Sequence, residues 1–194
     1  MSFNWQQYLS VVGVDEAGRG CLAGRVYAAA VYMPRDLASE VFQDSKKLSE
    51  KRREALAEEI KATYAYGIAY ASVAEIEELN ILRAALLAMK RAVEQIQENY
   101  ERLLIDGNQK IPYLDAGKQT SVIKGDQLVP AISAASILAK VKRDHYVYDL
   151  AEKYPQYGFE QHKAYATKIH KAAIAKWGPS PEHRKTFAGV REFI

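Results

Sequence analysis

The chain has 194 residues, 48% hydrophobic and 26% charged, with 11 glycines and 6 prolines, which suits a globular fold with a sizeable core and excludes a disordered or fibrous chain. Net charge is only +3, and a single cysteine, Cys21, excludes an internal disulfide and a cysteine-based zinc cluster. No apolar run is long enough to cross a bilayer and the first residues lack the order of a secretory signal, so a cytoplasmic protein with no membrane association is expected.

Val11-Val12-Gly13-Val14-Asp15 reads as a buried strand, and Arg25 to Met33, rich in Val, Tyr and Ala, as a second. Between them Gly18-Arg19-Gly20 is a turn. Ser49 followed by Glu50 marks a helix start, predicting a helix from Glu50 to about Thr63. Tyr66 to Val73 alternates aromatic and small residues as a third strand. Leu79, Leu82, Leu86, Met89, Val93 and Ile96 then recur at three-and-four spacing, the strongest helical signal in the chain.

Arg102 to Asp106 is a short apolar strand ending in an acid, and Thr120 to Lys124 is another, followed by Gly125-Asp126. Pro130 opens a long helix to about Lys153. Tyr154-Pro155-Gln156-Tyr157-Gly158 breaks it, and Lys163 to Trp177 is predicted as a last helix. This order gives a mixed α/β sheet with a helical C-terminal end. Residues 151–194 hold eight Lys or Arg against four Asp or Glu, while residues 1–150 hold 19 against 20. A basic tail on a neutral body is a footprint for nucleic acid, and equally a well-solvated helical face.

The chemistry is expected from acids at strand ends: Asp15 and Glu16 after the first strand, Asp106 after the fourth, Asp126 after the fifth. A carboxylate against an apolar strand is costly to bury unless it is paired or binds a cation. Taken singly each acid reads as a turn residue or cap; the repetition at three strand ends favours a metal site. Oxygen-only ligands suit Mg²⁺ or Mn²⁺, and two such ions about 3.5–4 Å apart serve in-line displacement at phosphorus. Adjacent strand residues face opposite ways, so Asp15 and Glu16 share an ion only if the chain bends, which Gly18 makes plausible.

Gly13-Val14-Asp15-Glu16-Ala17-Gly18-Arg19-Gly20 and Asp44-Ser45-Lys46-Lys47-Leu48-Ser49 strongly resemble the type 2 ribonuclease H family, ribonuclease HII. The resemblance continues through Asn80-Ile81-Leu82, Leu104-Ile105-Asp106-Gly107-Asn108, Lys124-Gly125-Asp126 and Ser133 to Val141. It extends to Tyr157-Gly158-Phe159, His162-Lys163 and His183-Arg184, in family order from about residue 11 to 190. It implies an α/β, ribonuclease H-like mixed β-sheet flanked by helices, in one catalytic domain over residues 1–194. Residues from about 155 onward would be a helical C-terminal appendage that clamps substrate.

The resemblance further implies an endonuclease that cuts the RNA strand of RNA–DNA hybrids and incises 5′ to single ribonucleotides in duplex DNA. Two divalent ions, Mn²⁺ or Mg²⁺, would be held by Asp15, Glu16, Asp106 and Asp126, leaving 5′-phosphate and 3′-hydroxyl ends. Gly18, Arg19 and Gly20 match the loop that reads the 2′-hydroxyl. Tyr165 matches the tyrosine that packs on the neighbouring deoxyribose. On residue type alone Arg19 reads as a surface salt bridge and Tyr165 as a residue at a helix start. Lys46 and Lys47, just before a helix, are expected to hold backbone phosphate. Lys140, Lys142, Arg143, Lys163, Lys168 and His170 are further phosphate candidates, although Lys140 and Asp144 have ion-pair spacing. A monomer is expected.

Three positions depart from the family pattern. Cys21 stands where a proline is common, and Ala164 and Ala166 flank Tyr165 where glycine and proline are usual. The sister type 3 enzymes carry an added N-terminal domain and a glutamate as fourth acid, so about ten residues before the first strand and Asp126 favour type 2. A catalytically silent nucleic-acid binder would gain nothing from carboxylates facing phosphate.

Overall fold

The computed structural model describes residues 3–38, 42 and 48–194. Lys46 and Lys47, with the Asp44-Ser45 that precedes them, lie outside the described residues. Five strands form one mixed sheet: β1 (Ser10–Ala17), β2 (Val26–Pro34), β3 (Tyr66–Ala71), β4 (Arg102–Asp106) and β5 (Gln119–Val122). Their spatial order is β3-β2-β1-β4-β5, with β1–β2 and β2–β3 antiparallel and β1–β4 and β4–β5 parallel. The carboxyl ends of β1, β4 and β5 therefore meet at one edge, the edge where open α/β sheets place their ligands.

Each face of the sheet is covered. On one, Val11, Ala29, Val31 and Leu104 pack on α1 (Glu50–Thr63) and α5 (Pro130–Lys153). On the other, Val12, Val14, Ala28, Leu103 and Ile105 pack on α2 (Val73–Leu79) and α3 (Ile81–Val93). The alternation along β1 and β4 is the two-residue period of a strand buried on both faces. Glycine sets the approach of both helix layers. A Cβ on Gly13 would collide with the backbone of Ala131 and Ile132 in α5, and one on Gly67 with the Ala92 carbonyl in α3.

The remaining helices are α4 (Gly125–Leu128), α6 (Phe159–His162) and α7 (Lys168–Trp177). The C-terminal segment folds back rather than hanging free. Tyr157, Phe159, Ala164, Ile174 and Val190 share a buried cluster with Cys21, Leu22 and Ala23, beside Val147 and Leu150 of α5.

Several boundaries differ from the sequence reading for local reasons. The third strand stops at Ala71 because Ser72 caps α2, its hydroxyl accepting from Glu75 N–H while the Glu75 carboxylate accepts from Ser72 N–H. Asn80, at φ 70°, separates α2 from α3, and its side chain accepts from the Leu82 and Arg83 amides, so the long helix starts at Ile81. Lys124, at φ 56°, ends the fifth strand early and puts Asp126 on the single turn of α4. The last helix is split, because Lys163 and Ala164 both adopt left-handed backbone, at φ 48° and 60°. Tyr165 therefore follows that turn, outside any helix, and α7 begins after the Thr167 cap.

Candidate active site

Asp15, Glu16 and Asp106 line one open cleft of about 410 Å³ at the carboxyl edge of the sheet, together with Ala17, Gly18, Arg53, Ser136, Lys140 and Tyr165. Pairing of β1 with β2 stays in register through Glu16 and Ala17, so the expected bend between Asp15 and Glu16 is absent. Strand alternation instead puts Asp15 and Asp106 on the α5 side of the sheet and Glu16 on the α3 side. All three reach the same cleft because they lie at the strand ends, where both faces open.

Each carboxylate is oriented by a protein donor. Asp15 Oδ1 accepts from Glu16 N–H at 2.7 Å, and Asp106 Oδ1 from Gly125 N–H at 2.7 Å. Glu16 Oε1 accepts from Arg19 Nη1 at 3.2 Å. Asp15 is only 6% exposed. Burial, followed by the charges of Glu16 and Asp106, raises its carboxyl well above the usual range. Hydrogen bonds from Ser136 and the Glu16 amide pull the other way and are outweighed. Burial also raises Glu16, with the Arg19 guanidinium opposing. Asp126 is buried beside Gly125, whose amide holds Asp106, and is not among the residues lining the cleft.

Asp15 and Glu16 are thus charge-stressed, and with Asp106 they form an oxygen-only donor set, which is what a hard divalent cation relieves. Among the described residues no three His, Cys, Asp or Glu side chains are already drawn around one point.

The glycine turn and Tyr165 flank the acids. Gly18 lines the cleft with a backbone φ of +97°, and Arg19 and Gly20 are exposed. Arg19 does form the surface ion pair that its residue type allowed, to Glu16. Tyr165 is 43% exposed, and its backbone forms an isolated antiparallel bridge with Cys21. Arg143, fully buried, lies 5.3 Å from the Tyr165 ring centre and donates to Cys21 Sγ and to the Lys163 carbonyl. Lys140 lines the cleft while bonding both Asp144 oxygens at 2.8 Å, so the ion pair that its spacing suggested is formed.

Arg53 and Ser136 escaped the sequence reading. Arg53 is one of several charges on α1, and nothing local separates it from the solvated ones. Ser136 lies within the Ser133 to Val141 stretch of the resemblance but has no role assigned there, yet its side chain hydrogen-bonds Asp15.

A sequence model of the ribonuclease HII family matches residues 12–190. The ribonuclease HII of Bacteroides thetaiotaomicron is 53% identical over 176 residues, covering 90% of this chain and 88% of its own. Among solved structures, ribonuclease H2 of Pyrococcus horikoshii superposes with a TM-score of 0.75 at 22% identity, over 95% of this chain and 96% of that one. A structure of Bst-RNase HIII in complex with Mn²⁺ superposes at 0.77 and 19% identity, over 95% of this chain and 68% of that one. A match spanning nearly the whole chain at this identity establishes that the chain belongs to the ribonuclease HII family and is a metal-dependent phosphodiester hydrolase acting on nucleic acid.

Proposed function

We propose that this chain cuts the RNA strand of RNA–DNA hybrids and incises on the 5′ side of single ribonucleotides in duplex DNA. The observation that carries the reading is the meeting of Asp15, Glu16 and Asp106 with Gly18 and Tyr165 in one cleft. Acids suited to cations thus lie beside a glycine turn whose backbone can approach a sugar closely. The relative solved with Mn²⁺ supports a divalent requirement.

Asp15, Glu16, Asp106 and Asp126 would hold two ions, Mn²⁺ or Mg²⁺. When bound, such ions polarise the phosphate and make water a stronger nucleophile. The chain's own residues do the rest. Asp15 and Asp106, fixed by backbone amides, present their oxygens from one side of the sheet, and Glu16 closes the set from the other. The amides of Gly18-Arg19-Gly20 bind the 2′-hydroxyl that separates RNA from DNA. Tyr165 packs on the adjacent deoxyribose, held by Arg143 and the Cys21 bridge. Lys46 and Lys47 contact flanking phosphate, and the segment from about 155 onward clamps the duplex, the chain acting as one catalytic domain.

The test is hydrolysis of a labelled RNA–DNA hybrid with Mg²⁺, Mn²⁺ or chelator, followed by end analysis. Products with 5′-phosphate and 3′-hydroxyl ends, formed only with a divalent ion, are expected. Cutting in chelator, or 3′-phosphate ends, would refute the reading.

A further inference from the structure

A residue bonded to the glycine turn lies 165 positions from Arg19 in sequence. Arg184 is fully buried, placed by a short pairing of the C-terminal segment with residues 22–24. In that pairing Arg184 N–H donates to Leu22 O and Gly24 N–H to Glu182 O, both at 2.8 Å. Its guanidinium then spends its donors on four backbone carbonyls of one loop. Nε bonds Gly24 O at 2.9 Å, Nη1 bonds Arg19 O at 3.0 Å, and Nη2 bonds Gly18 O at 2.8 Å and Arg25 O at 3.3 Å.

A guanidinium out of water is normally matched by a carboxylate, since its charge and five N–H donors are costly to strand. None of the described carboxylates forms an ion pair with Arg184, so carbonyl dipoles stabilise it instead. The consequence for the loop follows from the planar trans peptide, which sets C=O and N–H on opposite sides. Turning the Gly18 and Arg19 carbonyls inward onto Arg184 turns the Arg19 and Gly20 N–H groups outward, on the exposed side of the turn. Neither of those amides donates to a described backbone carbonyl.

We infer that Arg184 is a positioning residue for ribonucleotide recognition: it orients the two peptide planes whose N–H groups receive the 2′-hydroxyl. The inference rests on the proposed reading of this turn. Arg143 also packs against the turn, its Nε 3.3 Å from where a Cβ on Gly18 would lie.

Wild type, Arg184→Lys and Arg184→Gln are compared with Mg²⁺ on a DNA duplex carrying one ribonucleotide, with the all-DNA duplex as competitive inhibitor. Both variants keep the inhibition constant of the all-DNA duplex within about twofold, since phosphate contacts are untouched, while kcat/KM falls about 30-fold for Gln. Lys, which keeps the charge and reaches fewer carbonyls, falls between. Unchanged kcat/KM in a folded variant overturns the inference, as does a loss matched by equal loss of all-DNA binding.

Should neither variant fold, the wild-type protein decides by nuclear magnetic resonance in chelator. The Arg184 Nε–H signal shifts with the one-ribonucleotide duplex and not with the all-DNA duplex; equal shifts overturn the inference. Failure of the parent reading looks different: the wild-type enzyme itself then makes no cut at the ribonucleotide.

Discussion

Asp106 Oδ1 accepts the Gly125 amide proton at 2.7 Å, tying the end of β4 to the first residue of α4. A Cβ on Gly125 would lie 2.6 Å from Ile132 Cδ1 and 3.3 Å from that same Asp106 oxygen. Gly125→Ala is therefore an overpacking change at a carboxylate. It should cost about 1–3 kcal/mol of stability, by the usual price of excess volume in a packed site. It should also lower kcat, because the Asp106 carboxylate must give by a few tenths of an ångström beside its donor. Thermal melting and hydrolysis kinetics check this; wild-type values for both would show that Asp106 is not held there.

Asp15→Asn keeps the shape of the side chain and removes the charge that burial, Glu16 and Asp106 already oppose. The variant should lose at least about 100-fold in kcat, the scale of a lost transition-state charge contact. It should also lose the rise in melting temperature that a bound divalent ion confers on the wild type. Hybrid binding, which runs through phosphates, should stay near normal. Wild-type turnover would contradict the carboxylate assignment.

Arg19 separates two roles. Its ion pair with Glu16 is on the surface, with the Arg19 side chain 48% exposed, so Arg19→Ala should cost no more than about 1 kcal/mol of stability. If the turn reads the sugar, kcat/KM on a duplex with one ribonucleotide should drop by far more than that figure implies. A loss confined to stability would make Arg19 a salt-bridge residue only.

The buried histidines predict an acid limit. Ser180 N–H donates to His183 Nδ1 at 2.9 Å, so His183 carries its proton on Nε2 and directs it to His170 Nε2 at 3.0 Å. His170 in turn directs its Nδ1 proton to the Tyr165 carbonyl at 2.9 Å. Burial lowers both rings to about 4 from an ordinary value of 6.5. The unfolded chain thus binds protons that the folded chain refuses between those values. Stability from this pair is whole above pH 6.5 and falls as pH drops toward 4. Melting temperature should decline across that window, and less steeply in His183→Asn, which keeps an acceptor for the Ser180 amide. Parallel profiles would mean that the rings do not govern the decline.

Much of the frame was legible because it is written in local pattern. Arg102–Asp106, Glu50–Thr63 and Pro130–Lys153 were bounded correctly by an apolar run, a Ser49 cap and a proline start. The convergence of Asp15, Glu16 and Asp106 on one cleft was legible because an acid against an apolar strand stands out. What escaped depends on backbone that residue type does not announce. The apolar period runs across Asn80, and the left-handed conformations of Lys163 and Ala164 interrupt a segment with ordinary helical composition. Arg53, Ser136 and Arg184 reach the cleft and the glycine turn through folding of distant segments, which residue type alone does not announce, although Ser136 and Arg184 fall within motifs that carry the resemblance.

The most direct test of the central claim is incision of duplex DNA carrying one ribonucleotide, with Mg²⁺, Mn²⁺ or chelator, mapped to the nucleotide. The account predicts a divalent-dependent cut on the 5′ side of the ribonucleotide and none in the all-DNA duplex. Cutting of long RNA–DNA hybrids with the single ribonucleotide left intact would contradict it, leaving the carboxylate cleft without the sugar reading assigned to its glycine turn and Tyr165.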